Sequence, residues 1–157
     1  MKDIPAWRKI PWPPLLYLIA IAVSILAGLF MPLPRLTGPF ANILYAIGWL
    51  LVFAAAALWI SSFRAMRRAQ TTLNPFGEPS RLLTSGPFSI TRNPIYLGNT
   101  WLLFGIGFIS GNWWFLPLAL IAAALTQKLV IEFEEKVLGL KFGRKYRDYS
   151  KKVRRWI

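Results

Sequence analysis

The residues of this chain that could do chemistry fall in two clusters that lie beside apolar runs. The first cluster reads Arg92-Asn93-Pro94-Ile95-Tyr96-Leu97-Gly98 and opens one apolar run. The second cluster, Glu134-Glu135, follows the next apolar run. Ionisable groups at membrane depth are costly, and they are commonly functional for that reason. An arginine at the start of one run and two carboxylates at the end of the next predict a polar pocket at a bilayer surface.

The composition places the chain among membrane proteins. Its residues are 55% hydrophobic and its mean hydropathy is +0.45. A helix needs about 20 apolar residues to cross a bilayer, and four runs approach that length. These runs are about Leu15–Met31, Ile43–Phe63, Ile95–Ser110 and Trp113–Ile131. The third run is short for a full crossing, so it would have to borrow length from its flanks or lie close to one interface. A cleaved signal peptide is the alternative for the first run, but the prolines that follow it disfavour that interpretation.

The basic residues are concentrated in particular loops of the chain. The chain has 19 Lys and Arg residues against 6 Asp and Glu residues. The basic residues concentrate at both termini and in the loop between the second and third runs, so they occupy alternate loops. This pattern predicts an even number of spans with both termini in the cytoplasm. We therefore expect a multi-pass protein of a bacterial or archaeal inner membrane, in contact with anionic lipids and not with nucleic acid.

The chain contains no His and no Cys. This excludes disulfides, thiol nucleophiles and haem ligation through His, and it removes nearly every transition-metal site. The usual general base is also missing. No metal is expected, and any chemistry must use carboxylates, Arg, Tyr, Asn, backbone groups or a reactive cofactor.

The two clusters should meet in space. Asn93 and Pro94 fit the N-cap and first position of a helix. The short link Gly111-Asn112 predicts that the third and fourth runs form a tight antiparallel hairpin. The helix start at Arg92 would then lie beside the end of the fourth run. The hairpin predicts a site built from both clusters.

An apolar stripe follows the carboxylates. Its members recur at helical spacing, which predicts that the fourth helix continues beyond the membrane as an amphipathic helix. They are Leu138, Phe142, Tyr146, Tyr149 and Val153. Gly143 is a plausible bend. This helix either lies on the lipid headgroups or forms a lid over the pocket.

Two further segments carry predictions about packing. Thr71–Asn93 is too polar to cross the membrane, and its apolar side chains predict that it packs back onto the protein. These side chains are Leu73, Phe76, Leu82, Leu83, Phe88 and Ile90. The small residues of Ala54–Ala57 favour close helix packing. The chain is expected to form one domain, with an N-terminal helical hairpin at 1–70 and a cofactor-binding core at 71–157.

These elements, taken in order, resemble a family of membrane methyltransferases. The resemblance rests on Leu83-Thr84-Ser85-Gly86-Pro87-Phe88, on Arg92-x-Pro94-x-Tyr96-x-Gly98, and on Glu134-Glu135 followed by Phe142-Gly143-x-x-Tyr146-x-x-Tyr149. The family includes isoprenylcysteine carboxyl methyltransferases and phospholipid N-methyltransferases. It implies an all-α integral membrane bundle of about four transmembrane helices, with a cytoplasmic amphipathic C-terminal helix. It also implies methyl transfer from S-adenosylmethionine to a lipophilic or membrane-embedded carboxylate, amine or thiol.

The resemblance also implies roles for individual residues. The segment Arg92–Gly98, including Asn93, Pro94 and Tyr96, would line the cofactor. Glu134 and Glu135 would meet its amino and ribose groups, and Tyr146 and Tyr149 would close the pocket. Arg92, Glu134 and Tyr146 are the candidate catalytic residues. Isoprenylcysteine members typically have His where this chain has Asn93, so the resemblance does not specify that substrate.

Two other functions remain open at this point. One is a nicotinamide-dependent enzyme similar to sterol reductases, and cofactor specificity would distinguish it. The other is a non-catalytic four-helix protein that only binds lipid. That alternative predicts no cofactor affinity and leaves the two carboxylates unexplained.

Overall fold

The computed structural model describes residues 12–70 and 81–157. Throughout these ranges the regular structure is helical, without a β-strand, which confirms the all-α prediction. The helices are α1 (Trp12–Phe30), α2 (Pro39–Arg68), α3 (Pro94–Ser110), α4 (Phe115–Thr126), α5 (Glu132–Phe142) and α6 (Arg144–Lys152). A 3₁₀ turn covers Gly86–Ser89, and a π-helical turn covers Gln127–Ile131.

Three of the continuous helical stretches are long and apolar enough to cross a membrane. They are Pro13–Phe30, Pro39–Arg68 and Phe115–Phe142. Helix α3 is apolar but has only 17 residues, and at 1.5 Å per residue it covers about 26 Å, slightly less than a bilayer core. Four spans therefore stay a prediction. Large apolar side chains on the outer faces of α1 and α2, such as Leu29, Leu50 and Phe53, are exposed and suit contact with lipid.

The helices pair in the order α1 with α4 and α2 with α3. Within the described part of the chain, the main partner of α2 is therefore α3 and not α1, its neighbour in sequence. Tyr17 and Ala20 of α1 form a buried cluster with Leu103, Phe115 and Ala119. The predicted division at residue 70 into a hairpin and a core stays a prediction, but each half packs against the other.

Helices α2 and α3 approach closely through small residues. Ala55 is fully buried. A Cβ atom placed on Gly98 would lie 2.7 Å from the indole Nε1 of Trp59 and 3.3 Å from the carbonyl oxygen of Ala55. The favoured interpretation of Ala54–Ala57, close helix packing, is what the structure has.

The fourth apolar run continues as a helix beyond its apolar part, as the sequence predicts. The π-helical turn joins α4 directly to α5. At Gly143 the backbone takes φ 53°, a conformation that glycine adopts at little cost, and α6 begins at the next residue. The predicted bend at Gly143 is therefore confirmed.

The segment that precedes α3 packs back only in part. Leu82 packs against the buried cluster of Tyr146, Tyr149 and Val153, in agreement with the prediction. The prediction that Ile90 packs back onto the protein is wrong, because 66% of its surface is exposed. Leu73 and Phe76 lie outside the described residues.

Candidate functional site

Arg92 lies between the 3₁₀ turn and α3, and its side chain contacts residues of α5 and α6. Its Nη2 lies 3.2 Å from Oε1 of Glu135. Its Nη1 donates a hydrogen bond of 3.2 Å to the hydroxyl of Tyr146. The two sequence clusters therefore converge, as the α3–α4 hairpin predicts.

Glu135 is held by two arginines. In addition to Arg92, Arg155 donates from Nε to Oε1 at 3.0 Å and from Nη2 to Oε2 at 2.7 Å. This two-bond geometry is the strongest form of an arginine–carboxylate pair. The pairing with Glu135 raises the pKa of Arg155. The side chains of Glu135 and Arg92 are only 18% and 15% exposed, so solvent weakens this network little.

A cavity of about 350 Å³ opens beside this network. It is lined by Arg92, Glu132, Glu135, Lys136, Tyr146, Ser150 and Arg155. These residues come from the start of α3, from α5, from α6 and from the C-terminal segment. Carboxylates and cations thus face one space, which suits a ligand that carries charges of both signs.

Glu134 faces a different part of the protein. Its Oε1 accepts a hydrogen bond of 2.9 Å from the hydroxyl of Tyr96, and it is not among the residues that line the cavity. The carbonyl oxygen of Tyr96 in turn accepts from the hydroxyls of Tyr17, at 3.2 Å, and Thr100, at 3.0 Å. The two adjacent carboxylates therefore serve two networks, one at the cavity and one inside the helical bundle.

The two tyrosines of α6 also divide their tasks. Tyr146 lines the cavity, and burial, followed by the charge of Glu135, raises its pKa. Tyr149 donates a hydrogen bond of 2.6 Å to the carbonyl oxygen of Phe88, and burial raises its pKa to about 12. Both phenols remain protonated near neutral pH. Tyr149 thereby ties α6 to the 3₁₀ turn.

Asn93, Pro94 and Gly98, the remaining predicted cofactor residues, do not line the cavity. Asn93 is the N-cap residue of α3, but its side chain makes no cap hydrogen bond. It donates instead to the carbonyl oxygen of Arg155 at 2.9 Å. Pro94 is buried at the first position of the helix, and Gly98 faces α2. Their assignment to the cofactor stays a prediction.

Four of the cavity residues were not candidate site residues in the sequence analysis, namely Glu132, Lys136, Ser150 and Arg155. Ser150 follows Tyr149 on α6, and Lys136 follows Glu135. Both looked like surface residues of an amphipathic helix. Arg155 could not be distinguished by sequence from the other basic residues, of which the chain has 19.

A π-helical turn immediately precedes α5 and its glutamates. Such turns are rare and are often found at functional sites. Here Gln127 of the turn accepts a hydrogen bond of 2.8 Å from the indole of Trp156. The turn therefore contacts the same C-terminal segment that supplies Arg155 to the cavity.

The fold and the site define a helical membrane protein with a charged cavity at one end of its bundle. The family model described as phospholipid methyltransferase matches residues 43–145, well over half of the chain. The chain belongs to the phospholipid methyltransferase family, and it is a membrane protein of a methyltransferase family. No curated protein and no solved structure matches it.

Proposed function

We propose that the protein transfers a methyl group from S-adenosylmethionine to a lipophilic acceptor at the membrane surface. The observation that carries this proposal is the cavity where Arg92, Glu135 and Tyr146 meet. The family supports the activity of a methyltransferase, and the cavity offers a binding site for the cofactor. Glu135 and Tyr146 come from the consecutive helices α5 and α6, and Arg92 comes from the distant segment before α3.

The donor set of the cavity fits S-adenosylmethionine. That molecule carries a carboxylate, an ammonium group, a sulfonium and ribose hydroxyls. Glu135 and Glu132 would hold its ammonium and hydroxyl groups, and Arg92 would hold its carboxylate. Nε of Arg92 is buried and has no hydrogen-bond partner among the described residues. A buried donor without a partner is costly, and an anionic group of the cofactor would satisfy it.

The chain's own residues would contribute by position and by exclusion of water. S-adenosylmethionine supplies an electrophilic methyl group, so neither a metal nor a covalent enzyme intermediate is needed. Tyr146 stays protonated and can donate a hydrogen bond into the cavity. Alignment of the reacting groups can account for a large part of catalysis.

Helix α6 would serve as the lid of this site. Its buried face, formed by Tyr146 and Tyr149 with Val153, packs against Leu82, Leu138 and Phe142. Because this face is occupied by the protein itself, it is not available to lie on lipid headgroups. The lid interpretation is therefore the better supported of the two that the stripe allowed. It adds support for an enzyme over a protein that only binds lipid.

The proposal includes the sidedness of the membrane. The basic loops indicate that the cavity faces the cytoplasm, where S-adenosylmethionine is made. Since the natural chain has no Cys, single-cysteine variants report without background. Thr37→Cys in the α1–α2 loop should react with a membrane-impermeant thiol reagent in intact cells, and Ser89→Cys at the cavity end should not. The reverse labelling would rule out a cytoplasmic site.

The test of function is binding followed by turnover. Calorimetry of the purified protein in lipid or detergent should show binding of S-adenosylmethionine and of its demethylated product. Incubation with the methyl-labelled cofactor and a total membrane lipid extract should then label an acceptor, which mass spectrometry identifies. Folded protein that binds neither molecule would exclude the proposal. Binding of a nicotinamide cofactor in their place would favour the reductase alternative.

A further inference from the structure

The C-terminal segment, residues 154–156, contacts several of the elements that build the cavity. Three consecutive residues before α3 bind the backbone of this segment. The amide of Arg92 donates to the carbonyl oxygen of Arg154 at 3.0 Å. The side chains of Thr91 and Asn93 both donate to the carbonyl oxygen of Arg155, at 3.1 and 2.9 Å. The backbone of the segment is thereby fixed against the start of α3.

The side chains of the same segment reach the opposite wall of the cavity. Arg155 holds both oxygens of Glu135 on α5, and Trp156 binds Gln127 on the π-helical turn. Arg155 is therefore the one residue among these that contacts α3's start through its backbone and α5 through its side chain. It lies beyond the residues 43–145 matched by the family model.

The contact between Arg155 and Glu135 restricts the orientation of the carboxylate. Oε2 of Glu135 faces Arg155 at 2.7 Å, while Oε1 lies 3.0 Å from Arg155 and 3.2 Å from Arg92. A carboxylate held at both oxygens by a planar guanidinium has little freedom to rotate. Glu135 in turn contacts Arg92, so a change at Arg155 can reach Arg92 through Glu135.

We propose that Arg155 is a positioning residue that orients Glu135, and through it Arg92, for binding of the cofactor. The proposal rests on the function proposed above. It states that the planar two-bond contact is required and that positive charge alone is insufficient. A lysine at this position keeps the charge but cannot make the same pair of parallel bonds.

The experiment measures the affinity for S-adenosylmethionine and its demethylated product by calorimetry in the full-length protein. The variants are Arg155→Gln, Arg155→Lys, Glu135→Gln and the double variant Glu135→Gln/Arg155→Gln. Lys152→Gln is the matched control, because it removes one positive charge from an exposed position close to the same segment. Thermal unfolding of every variant verifies that the fold is retained.

Arg155→Gln should weaken binding about tenfold, since charge-assisted hydrogen bonds to Glu135 are lost. Arg155→Lys should recover little of this loss, and Lys152→Gln should bind as the wild type does. In the Glu135→Gln background, Arg155→Gln should cause no further loss, because the residue acts through Glu135. This coupling separates positioning from a general effect on stability.

Several results would overturn the proposal. Wild-type protein that binds neither molecule would remove the proposed function and this role with it. Wild-type binding with unchanged affinity in Arg155→Gln would remove the positioning role alone. Full recovery in Arg155→Lys would show that charge is sufficient. Tighter binding in Arg155→Gln would show that Arg155 competes with the ligand. Additive losses in the double variant would show that Arg155 acts independently of Glu135.

Discussion

The two ends of the helical bundle are both held by side-chain hydrogen bonds, but with opposite chemistry. At the end where α3 turns into α4, neutral groups bind backbone carbonyls of α1 and the loop that follows it. Asn112 donates to Ser24 at 2.8 Å, and the indole of Trp114 donates to Met31 at 2.8 Å. At the other end, charged groups bind one another around Glu135. Both ends fasten helices together.

The difference supports the proposal that the cavity end is the functional one. Neutral donors on backbone carbonyls stabilise a helix pair at a low cost of desolvation. Glu135 and Arg92, of which little is exposed, cost more to desolvate, and apolar residues of similar size would often stabilise the fold as well. Arg155, the third member of the network, is partly exposed. The cost of burying these charges is consistent with a role beyond joining the helices.

Glu135→Gln should have the largest effect on cofactor binding. The change removes the charge shared by Arg92 and Arg155 and weakens bonds worth about 1.5–3 kcal/mol. We expect at least a tenfold loss of affinity for S-adenosylmethionine, measured by calorimetry. A wild-type affinity would mean that the charged end is only a structural tie.

Asn112→Ala should produce the opposite result. It removes the hydrogen bond to Ser24 and the one that Asn112 Oδ1 accepts from the amide of Trp114 at 3.2 Å. A loss of about 1–3 kcal/mol in stability is expected, seen as a lower temperature of thermal unfolding in detergent. Cofactor affinity in the folded protein should not change. A loss of affinity would indicate that the two ends are coupled.

Tyr146→Phe should have a moderate effect on binding. It removes the hydroxyl that accepts from Arg92 while the ring keeps its packing with Tyr149. One hydrogen bond of about 0.5–1.5 kcal/mol is lost, so affinity should fall severalfold. The pH dependence of binding serves as the control. It should be the same in both proteins near neutral pH, since the raised pKa keeps Tyr146 protonated there.

Glu134→Gln should weaken binding least. The amide oxygen of glutamine can still accept the hydrogen bond from Tyr96, so this contact is kept. Because Glu134 does not line the cavity, we expect an affinity within about threefold of the wild type, or less than 1 kcal/mol. A loss equal to that of Glu135→Gln would place both carboxylates on the cofactor.

The sequence alone predicted the elements and their approximate meeting point. Apolar length located the helices. Helix α3 ends at Ser110, immediately before the predicted turn, and α2 ends at Arg68, among the basic residues that follow its apolar run. The tight link at Gly111-Asn112 was sufficient to bring Arg92 to the glutamates. Such features are local, because a helix start, a turn or an apolar run depends on residues close together in the chain.

Only the tertiary structure decided which atoms face the cavity. Adjacent residues of a helix point about 100° apart, so Glu134 and Glu135 must face different surroundings. The π-helical turn before them changes the direction in which the side chains of α5 point relative to those of α4. No pattern in the sequence predicted this turn. Long-range contacts likewise gave Asn93 the carbonyl of Arg155 as its partner and gave α1 the packing surface of α4. The position of Arg155 at Glu135 has the same origin, since a charge near the end of a chain carries no information about its distant partner.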